Sequence, residues 1–252
     1  MRVIAIASQK GGVGKTTTTQ ALGTLFAQHG LKVLMIDLDP QASLTVACGV
    51  KSGEIGMSDV MIGQRMLSNV LWEVIPNLYI APADLRLTEA EIVMVGRLGR
   101  ENVLKRQLHY LDAKMKLDIC LIDCPPSLNL LAVNGLVSAH KVLIPSRPEF
   151  LGKQALKPMM DVVRQVQEEL NPELSVLGIL PTFFRTRVKH HQQVLAEWEA
   201  DSLKVLPVRI SQSIRAAEAP VANQSVTDFA PRCKVSEQYR QLMEYLLENE
   251  LN

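Results

Sequence analysis

Six short apolar runs punctuate the chain, at positions 3–7, 33–36, 78–81, 119–122, 142–144 and 176–180. Most are continuous rather than alternating, which is the pattern of strands buried on both faces of a parallel sheet. Between them the apolar positions recur with a helical period, over 16–29 with Gly30 as its stop, 88–111, 154–170, 188–200 and 236–248. Strands and helices that alternate in this way predict an α/β fold: a doubly wound, mostly parallel sheet with helices on both faces. No internal repeat, low-complexity tract or long Pro/Ser-rich linker interrupts the order, so residues 1–252 read as a single domain. The least periodic stretch, 51–65 with Gly53, Gly56 and Gly63, reads as a mobile excursion rather than a boundary.

Composition constrains the partners more than the fold. Lys and Arg total 27 against 26 for Asp and Glu, so the chain has no general basic coat and any nucleic-acid surface must be local. Cys48, Cys120, Cys124 and Cys233 lack paired CxxC spacing and read as buried free thiols in a reducing compartment. No segment approaches the ~18 consecutive apolar residues of a membrane span. The short apolar run after Arg2 leads into a glycine-rich loop rather than a cleavage site. A cytoplasmic protein is expected.

The candidate chemistry starts where the first apolar run ends. Gln9, Lys10, Gly11, Gly12, Val13, Gly14, Lys15, Thr16 and Thr17 stand between a predicted strand and a predicted helix. A loop so placed can wrap its backbone N–H groups around phosphates, because glycines take the turns and the helix N-terminus adds positive potential. Lys15 brings a mobile charge and Thr16 a hydroxyl for Mg²⁺. The loop departs from the ordinary pattern in carrying Gln9 where the first glycine would stand, with Lys10 directly after it.

Two further runs place acids at the ends of strands, where doubly wound sheets build their sites. Asp37 and Asp39 close the second apolar run just before Pro40. Residues two apart on a strand face the same way, so the pair would repel unless a cation, water or lysine lay nearby. Either acid could instead cap the turn before Pro40. Asp123, followed by Cys124, Pro125 and Pro126, ends the fourth run in the form of a Walker B strand and is positioned to hold Mg²⁺ through water. Asp118, at the start of that strand, reads as a surface acid.

The string KGGVGKTT at 10–17 resembles the deviant Walker A loop of the ParA/MinD superfamily, and the small Soj-like partition ATPases most closely. DLDPQ at 37–41 resembles the switch I of that family, Asp123 to Pro126 its switch II, and 214–220 its R-x-S-E-A-P segment. Stretches 82–91 and 100–104 are similar to family helices, so the likeness covers nearly the whole chain. It implies a P-loop NTPase fold of the deviant Walker A type and an ATPase that turns ATP into ADP and phosphate with Mg²⁺. It implies that Lys10 acts in trans on the nucleotide of a second subunit. Asp39 then orients the attacking water and stands with Thr16 and Asp123 on the magnesium side, while Asp37 is metal-side or structural. Stretches 181–184 and 208–213 become the base-contacting segments, with Phe183, Ile210 and Ser211 as contacts. The implied partners are a second copy in the ATP state, DNA bound without sequence preference, and a ParB-like or other cargo adaptor. The cargo, a plasmid, a chromosome or a protein organelle, stays open.

The sequence departs from common members at Pro145, Ser146, Arg147 and Pro148, again at Leu151, Gly152, Lys153 and Gln154, and at Ala222 where a glycine is usual. With the first strand at the start of the chain, the operator-binding helix-turn-helix of larger members is not expected. Basic side chains concentrate late, at Arg185, Arg187, Lys189, Arg209, Arg215, Arg232 and Lys234. The resemblance makes Arg185, Arg187, Lys189 and Arg215 a DNA-facing strip and places the protein on the nucleoid; the alternative is that these charges solvate separate loops. A MinD-like membrane helix is the chief rival. The tail carries Glu237, Glu244, Glu248 and Glu250 against Arg240 alone, however, and its apolar residues Tyr239, Leu242, Met243, Leu246 and Leu247 read as a core-facing stripe. No stable membrane association is expected. The iron proteins of nitrogenase-type reductases share the loop, but their cluster-cysteine contexts are missing.

Overall fold

The computed structural model describes residues 1–51, 53, 55–149 and 152–251, with the side chains of 152–155 excepted. Leu151 and the side chains of Lys153 and Gln154, named above as departures, fall outside the described residues.

Seven strands form one sheet in the order β3-β4-β2-β5-β1-β6-β7. They are β1 (Arg2–Ile6), β2 (Val33–Asp37), β3 (Trp72–Ile75), β4 (Leu78–Ala81), β5 (Ile119–Asp123), β6 (Lys141–Ser146) and β7 (Ser175–Pro181). All neighbours run parallel except the β3–β4 pair. The continuous apolar runs have a direct cause here, since successive side chains enter different layers. In β1, Val3 and Ala5 belong to one hydrophobic cluster while Ile4 and Ile6 belong to the other.

One layer contains α1 (Lys15–Gln28) and α2 (Ser43–Ala47), with α9 (Ile214–Glu218), α10 (Val226–Phe229) and α11 (Lys234–Asn249). The other contains α3 (Met57–Met61), α4 (Leu87–Val95), α5 (Val103–Met115), α6 (Leu130–Ser138), α7 (Gly152–Glu169) and α8 (Lys189–Ala200). The doubly wound α/β expectation is met. The tail helix α11 buries Tyr239, Leu242, Met243 and Leu246, and the Tyr239 and Thr18 hydroxyls lie 3.1 Å apart across the contact with α1.

Several elements differ from the sequence reading, which placed no helix at α2, α6, α9 or α10. The helix expected over 88–111 is broken into α4 and α5 by Gly96 and Gly99, the latter at φ 65°, with a 3-10 turn at Arg100–Asn102. Asn134 holds the break in place, its amide donating to the Arg100 carbonyl at 2.8 Å and accepting from the Leu104 N–H at 3.2 Å. The stretch 51–65 is not simply an excursion, because α3 buries Met57, Val60 and Met61 in the core and the Asp59 carboxylate accepts from the Gly56 N–H at 2.9 Å. The edge strand β3 has no apolar run to announce it: Trp72 and Glu73 are exposed, and only antiparallel pairing to β4 defines it.

Candidate nucleotide site

The carboxyl ends of β1, β2, β5, β6 and β7 meet at one edge of the sheet; the segments after β1, β2, β5 and β7 line one cleft, and the segment after β6 packs on its glycine loop. After β1 the chain folds into the glycine loop, with Gly12 at φ 68° and Gly14 at φ 92°. Gly14 is the N-cap of α1 and offers no side chain, so the first N–H groups of that helix face the cleft unpaired by a cap. Nothing lies within 4 Å of where a Gly11 Cβ would stand, which leaves the cradle open to a phosphate. Gly11, Gly12, Gly14, Lys15, Thr16, Thr17 and Asp39 line a cavity of about 590 Å³. Val13, only 1% exposed, anchors the loop in the interior instead of contacting the cavity.

Lys15 is 7% exposed, whereas the Lys10 side chain is half-exposed and paired with the Glu149 carboxylate. The two lysines of the loop therefore occupy different environments. Lys15 bends back within the loop, its Nζ 3.5 Å from the Lys10 carbonyl, while the Lys10 ammonium points outward to the segment after β6.

The acids separate in the same way. Asp37 and Asp123 are neighbours in the β2–β5 register, both buried. Asp37 is fully engaged, accepting from Thr45 N–H (2.9 Å), Thr45 Oγ1 (2.8 Å) and Asp39 N–H (3.1 Å). Burial, partly offset by the Thr45 bonds, pushes its carboxyl up to about 6. Its oxygens are thus taken up by the β2–α2 connection. Asp123 accepts from Thr16 Oγ1 at 2.7 Å through Oδ2, while its buried Oδ1 has no hydrogen-bond partner. Burial and then the charge of Asp37 raise the Asp123 carboxyl well above the ordinary range, against the pull of Thr16 and Lys15. A cation beside Oδ1 would relieve that cost. The donor set suits Mg²⁺, which takes few protein ligands and keeps water and phosphate oxygens; among the described residues no group of three His, Cys, Asp or Glu could form a metal cage. Asp39, half-buried, accepts from the Gln41 N–H at 3.0 Å through Oδ1, so it does shape the turn before the cleft as well as line it.

A second, apolar cavity of about 140 Å³ adjoins the first and shares Gly14, Thr17 and Phe183 with it. Ile210, Ser211 and Tyr239 line its far side. The two segments expected to contact a base are thus neighbours: the Phe184 N–H donates to the Ile210 carbonyl at 2.9 Å, and Phe184 bridges Ser211. Phe183 sits at φ 50°, a left-handed conformation that a phenylalanine adopts only where its surroundings impose it. Arg147 covers its ring, with the guanidinium carbon 3.7 Å from the centroid. Neither Arg147 nor Glu149 carries a role in the sequence reading. Their position just beyond the carboxyl end of a central strand was the available signal.

Of the basic residues, Arg185, Arg187, Lys189, Arg209 and Arg215 are all exposed. Arg185 Nε donates to Gln212 Oε1 at 3.1 Å, which ties the 185 and 212 segments together. Arg209 lies over the Phe184 ring at 4.9 Å, and Arg215 pairs with Glu218 at 2.9 Å. Asp118 is an exposed acid that accepts from the Lys32 N–H at 2.7 Å. The cysteines are free thiols: Cys48, Cys120 and Cys124 are buried, whereas Cys233 is only half-buried, contrary to the sequence reading. Burial raises the Cys124 thiol, which makes it a poor thiolate ligand.

A glycine cradle at a helix N-terminus, a buried lysine inside it and a hydroxyl–carboxylate pair below it make this a phosphate-loop nucleotide-binding protein. Comparison with known proteins narrows the class. A family model described as an AAA domain matches residues 1–176. The chain is 34% identical to the sporulation initiation inhibitor protein Soj of Bacillus subtilis over 252 residues, 98% of this chain and 99% of that one. It is also 34% identical to the chromosome partitioning protein ParA of Caulobacter vibrioides, over 99% of this chain and 95% of its relative. The crystal structure of cobyrinic acid a,c-diamide synthase from Mycobacterium smegmatis, with a bound ATP analog and magnesium, superposes with a TM-score of 0.87 at 33% identity, covering 98% of this chain and 95% of that one. The chain belongs to the Soj/ParA family of ATPases, within the ParA/MinD superfamily.

Proposed function

We propose that residues 1–252 act as one ATPase domain that works as a nucleotide-switched pair. ATP and Mg²⁺ join two subunits face to face, the joined surface holds DNA without sequence preference, and hydrolysis releases it. The observation that carries this reading is the contrast between the lysines of the loop. Lys15 is buried beside the cradle and can serve its own nucleotide, whereas Lys10 projects outward, half-exposed, where it can serve a partner's.

The side chains divide the work. Gly11, Gly12, Val13 and Gly14 shape the backbone cradle for the phosphates, Lys15 meets their charge, and Thr17 stands at the junction with the base cavity. Phe183, Ile210 and Ser211 wall in the base. Thr16 and Asp123 hold Mg²⁺, with Asp39 on the same side of the cleft. When bound, the metal supplies charge neutralisation between the phosphate oxygens. Asp39 orients the attacking water through the carboxylate oxygen that the turn leaves free. Moving from 1:99 to 99:1 between separate and joined subunits requires about 5.5 kcal/mol of differential binding. The γ-phosphate and the trans lysine are its sources.

Arg185, Arg187, Lys189 and Arg215 form the DNA strip. About 6 to 10 phosphate contacts per pair would cost ~10³ to 10⁵ in affinity between about 50 and 200 mM salt. A ParB-like or other cargo adaptor stimulates hydrolysis, and the cycle positions a plasmid, chromosome or protein organelle on the nucleoid in the cytoplasm. The membrane reading is disfavoured because the apolar face of α11 is spent on the core. Among the described residues no helix is long and apolar enough to cross a membrane.

The test measures mass by light scattering and DNA binding by gel shift, in ATP and in ADP. Arg187→Glu with Arg215→Glu should still pair in ATP yet bind all DNA sequences more weakly, with a shallower salt dependence. Wild-type DNA affinity in that double variant would refute the strip.

A further inference from the structure

Just after β6 the chain makes a three-residue turn, Arg147 to Glu149, closed by the Glu149 N–H donating to the Arg147 carbonyl at 2.9 Å across Pro148. The turn aims two side chains of opposite charge at the phosphate loop. The Glu149 carboxylate bridges two cations with separate oxygens: Oε2 pairs with Lys10 Nζ, and Oε1 lies 3.6 Å from Arg147 Nη1. Arg147 Nη2 donates to the Gly12 carbonyl at 2.6 Å, and its guanidinium carbon lies over the Phe183 ring, 3.7 Å from the centroid. Lys10, Glu149, Arg147 and Gly12 thus form a closed ring of contacts, with the base wall attached through Phe183.

The two cations have unequal freedom. Arg147 is fixed by a ring face, a carbonyl and the turn, and only about a third of its side chain is exposed; Lys10 is tied by Glu149 and is half-exposed. When Lys10 leaves, the carboxylate stays beside a loop that holds phosphates, where an unbalanced negative charge repels them. Arg147 is already within reach of it. The Glu149 carboxyl is held below the ordinary range chiefly by Lys10 and secondarily by Arg147, so both cations act on the same group.

We propose that Arg147 is a positioning residue for ATP turnover: fixed on Gly12 and Phe183, it takes over the Glu149 carboxylate as Lys10 departs and so sets how readily Lys10 reaches the partner's nucleotide. This rests on the trans reading of Lys10. Arg147 acts through Glu149 and Lys10 and need not touch the nucleotide.

Steady-state ATP hydrolysis by the full chain tests it with Arg147→Gln, Arg147→Lys, Glu149→Gln and the Arg147→Gln/Glu149→Gln pair. Arg147→Gln should lower kcat about tenfold while KM for ATP stays within about threefold, a size typical of coupled charges. Arg147→Lys should keep most of the kcat, since it retains the charge without the guanidinium. The pair should return to within about threefold of Glu149→Gln alone, because no carboxylate is left to hold Lys10 back. Arg147→Met keeps a stem on the Phe183 ring and should match Arg147→Gln, so misfolding of one variant does not decide the result. Multiplying losses in the pair, or a raised KM at normal kcat in Arg147→Gln, would overturn the proposal. Lys10→Ala separates this from the reading beneath it. Normal turnover there defeats the trans assignment, whereas failed rescue with Lys10→Ala inactive defeats only the role of Arg147.

Discussion

Thr16 Oγ1 donates to Asp123 Oδ2 at 2.7 Å, while the other oxygen of the same carboxylate is buried and unpartnered. One side chain comes from the first turn of α1 and the other from the end of β5, so the buried carboxylate lies directly behind a hydroxyl that lines the cleft.

The unpartnered oxygen of Asp123 predicts a magnesium dependence. In Asp123→Asn the charge is lost but the shape is kept, so the Mg²⁺ concentration needed for half-maximal binding of a fluorescent ATP analogue should rise by about tenfold or more, as for the loss of one charge-assisted contact of about 1.4 kcal/mol. A titration that superimposes on the wild type would remove Asp123 from the metal site.

Asp39 predicts a separation of binding from chemistry. Asp39→Ala should bind ATP at close to wild-type affinity and fail to hydrolyse it, leaving subunits paired on DNA in gel-shift experiments. The Ala variant also loses the bond from the Gln41 N–H, worth about 1 kcal/mol of local stability. Asp39→Asn retains that acceptor and should be as inactive, which assigns the loss to the charge and not to the turn. Normal hydrolysis in Asp39→Asn would disprove the assignment.

Lys10 predicts complementation between subunits. Lys10→Ala should leave ATP binding nearly intact, with Lys15 and Thr16 present, and abolish hydrolysis; a trans cation can be worth about 10³ to 10⁵ in rate. Mixing Lys10→Ala with Asp39→Ala subunits should restore about half the activity per mixed pair, since one of the two sites then holds both groups. Mixed pairs detected by crosslinking without any recovery would count against action in trans.

The far end of the sheet predicts a pH response unconnected with nucleotide. His140 Nδ1 accepts from the Val3 N–H at 3.0 Å, which requires a neutral ring. Burial first, and then the charge of Arg2, hold its pKa below the ordinary 6.5. Protons therefore bind more readily to the unfolded chain, so this contribution is complete above pH 6.5 and is lost as pH falls through the lowered folded value. The urea midpoint should drop between about pH 7.5 and about 5.5, and drop less in His140→Asn, whose side-chain oxygen can accept the same bond at either pH. Equal slopes in the two proteins would exclude His140 as the source.

How far the sequence reaches depends on whether the deciding interactions are local. The six buried strands, the α1 start at the glycine loop and the α11 stripe were legible because a strand covered on both faces needs an unbroken apolar run and a packed helix needs a periodic one. The phosphate loop was legible because its chemistry lies in consecutive residues. The break between α4 and α5 was not, although Gly96 and Gly99 were visible: whether two glycines end a helix depends on a partner such as Asn134, which packs there from α6. The edge strand β3 was hidden for a related reason, since its definition is the ladder to β4 and its residues are half-solvated.

In the site, the sequence determined which residues carry charge and at which strand ends they arise. The tertiary structure decided how those charges are shared. Asp37 and Asp39 are two residues apart, and the sequence left Asp37 as metal-side or structural; burial and three hydrogen bonds consume it while Asp39 lines the cleft. The loop pattern already separates Lys10 from Lys15, but only the tertiary structure buries Lys15 at the start of α1 and pairs Lys10 with Glu149, 139 residues away. Arg147 had only its place just beyond the carboxyl end of β6 to mark it. Its significance comes from a ring just past the end of β7 and a carbonyl in the loop after β1, brought together because parallel strands must deliver all their carboxyl ends to one edge.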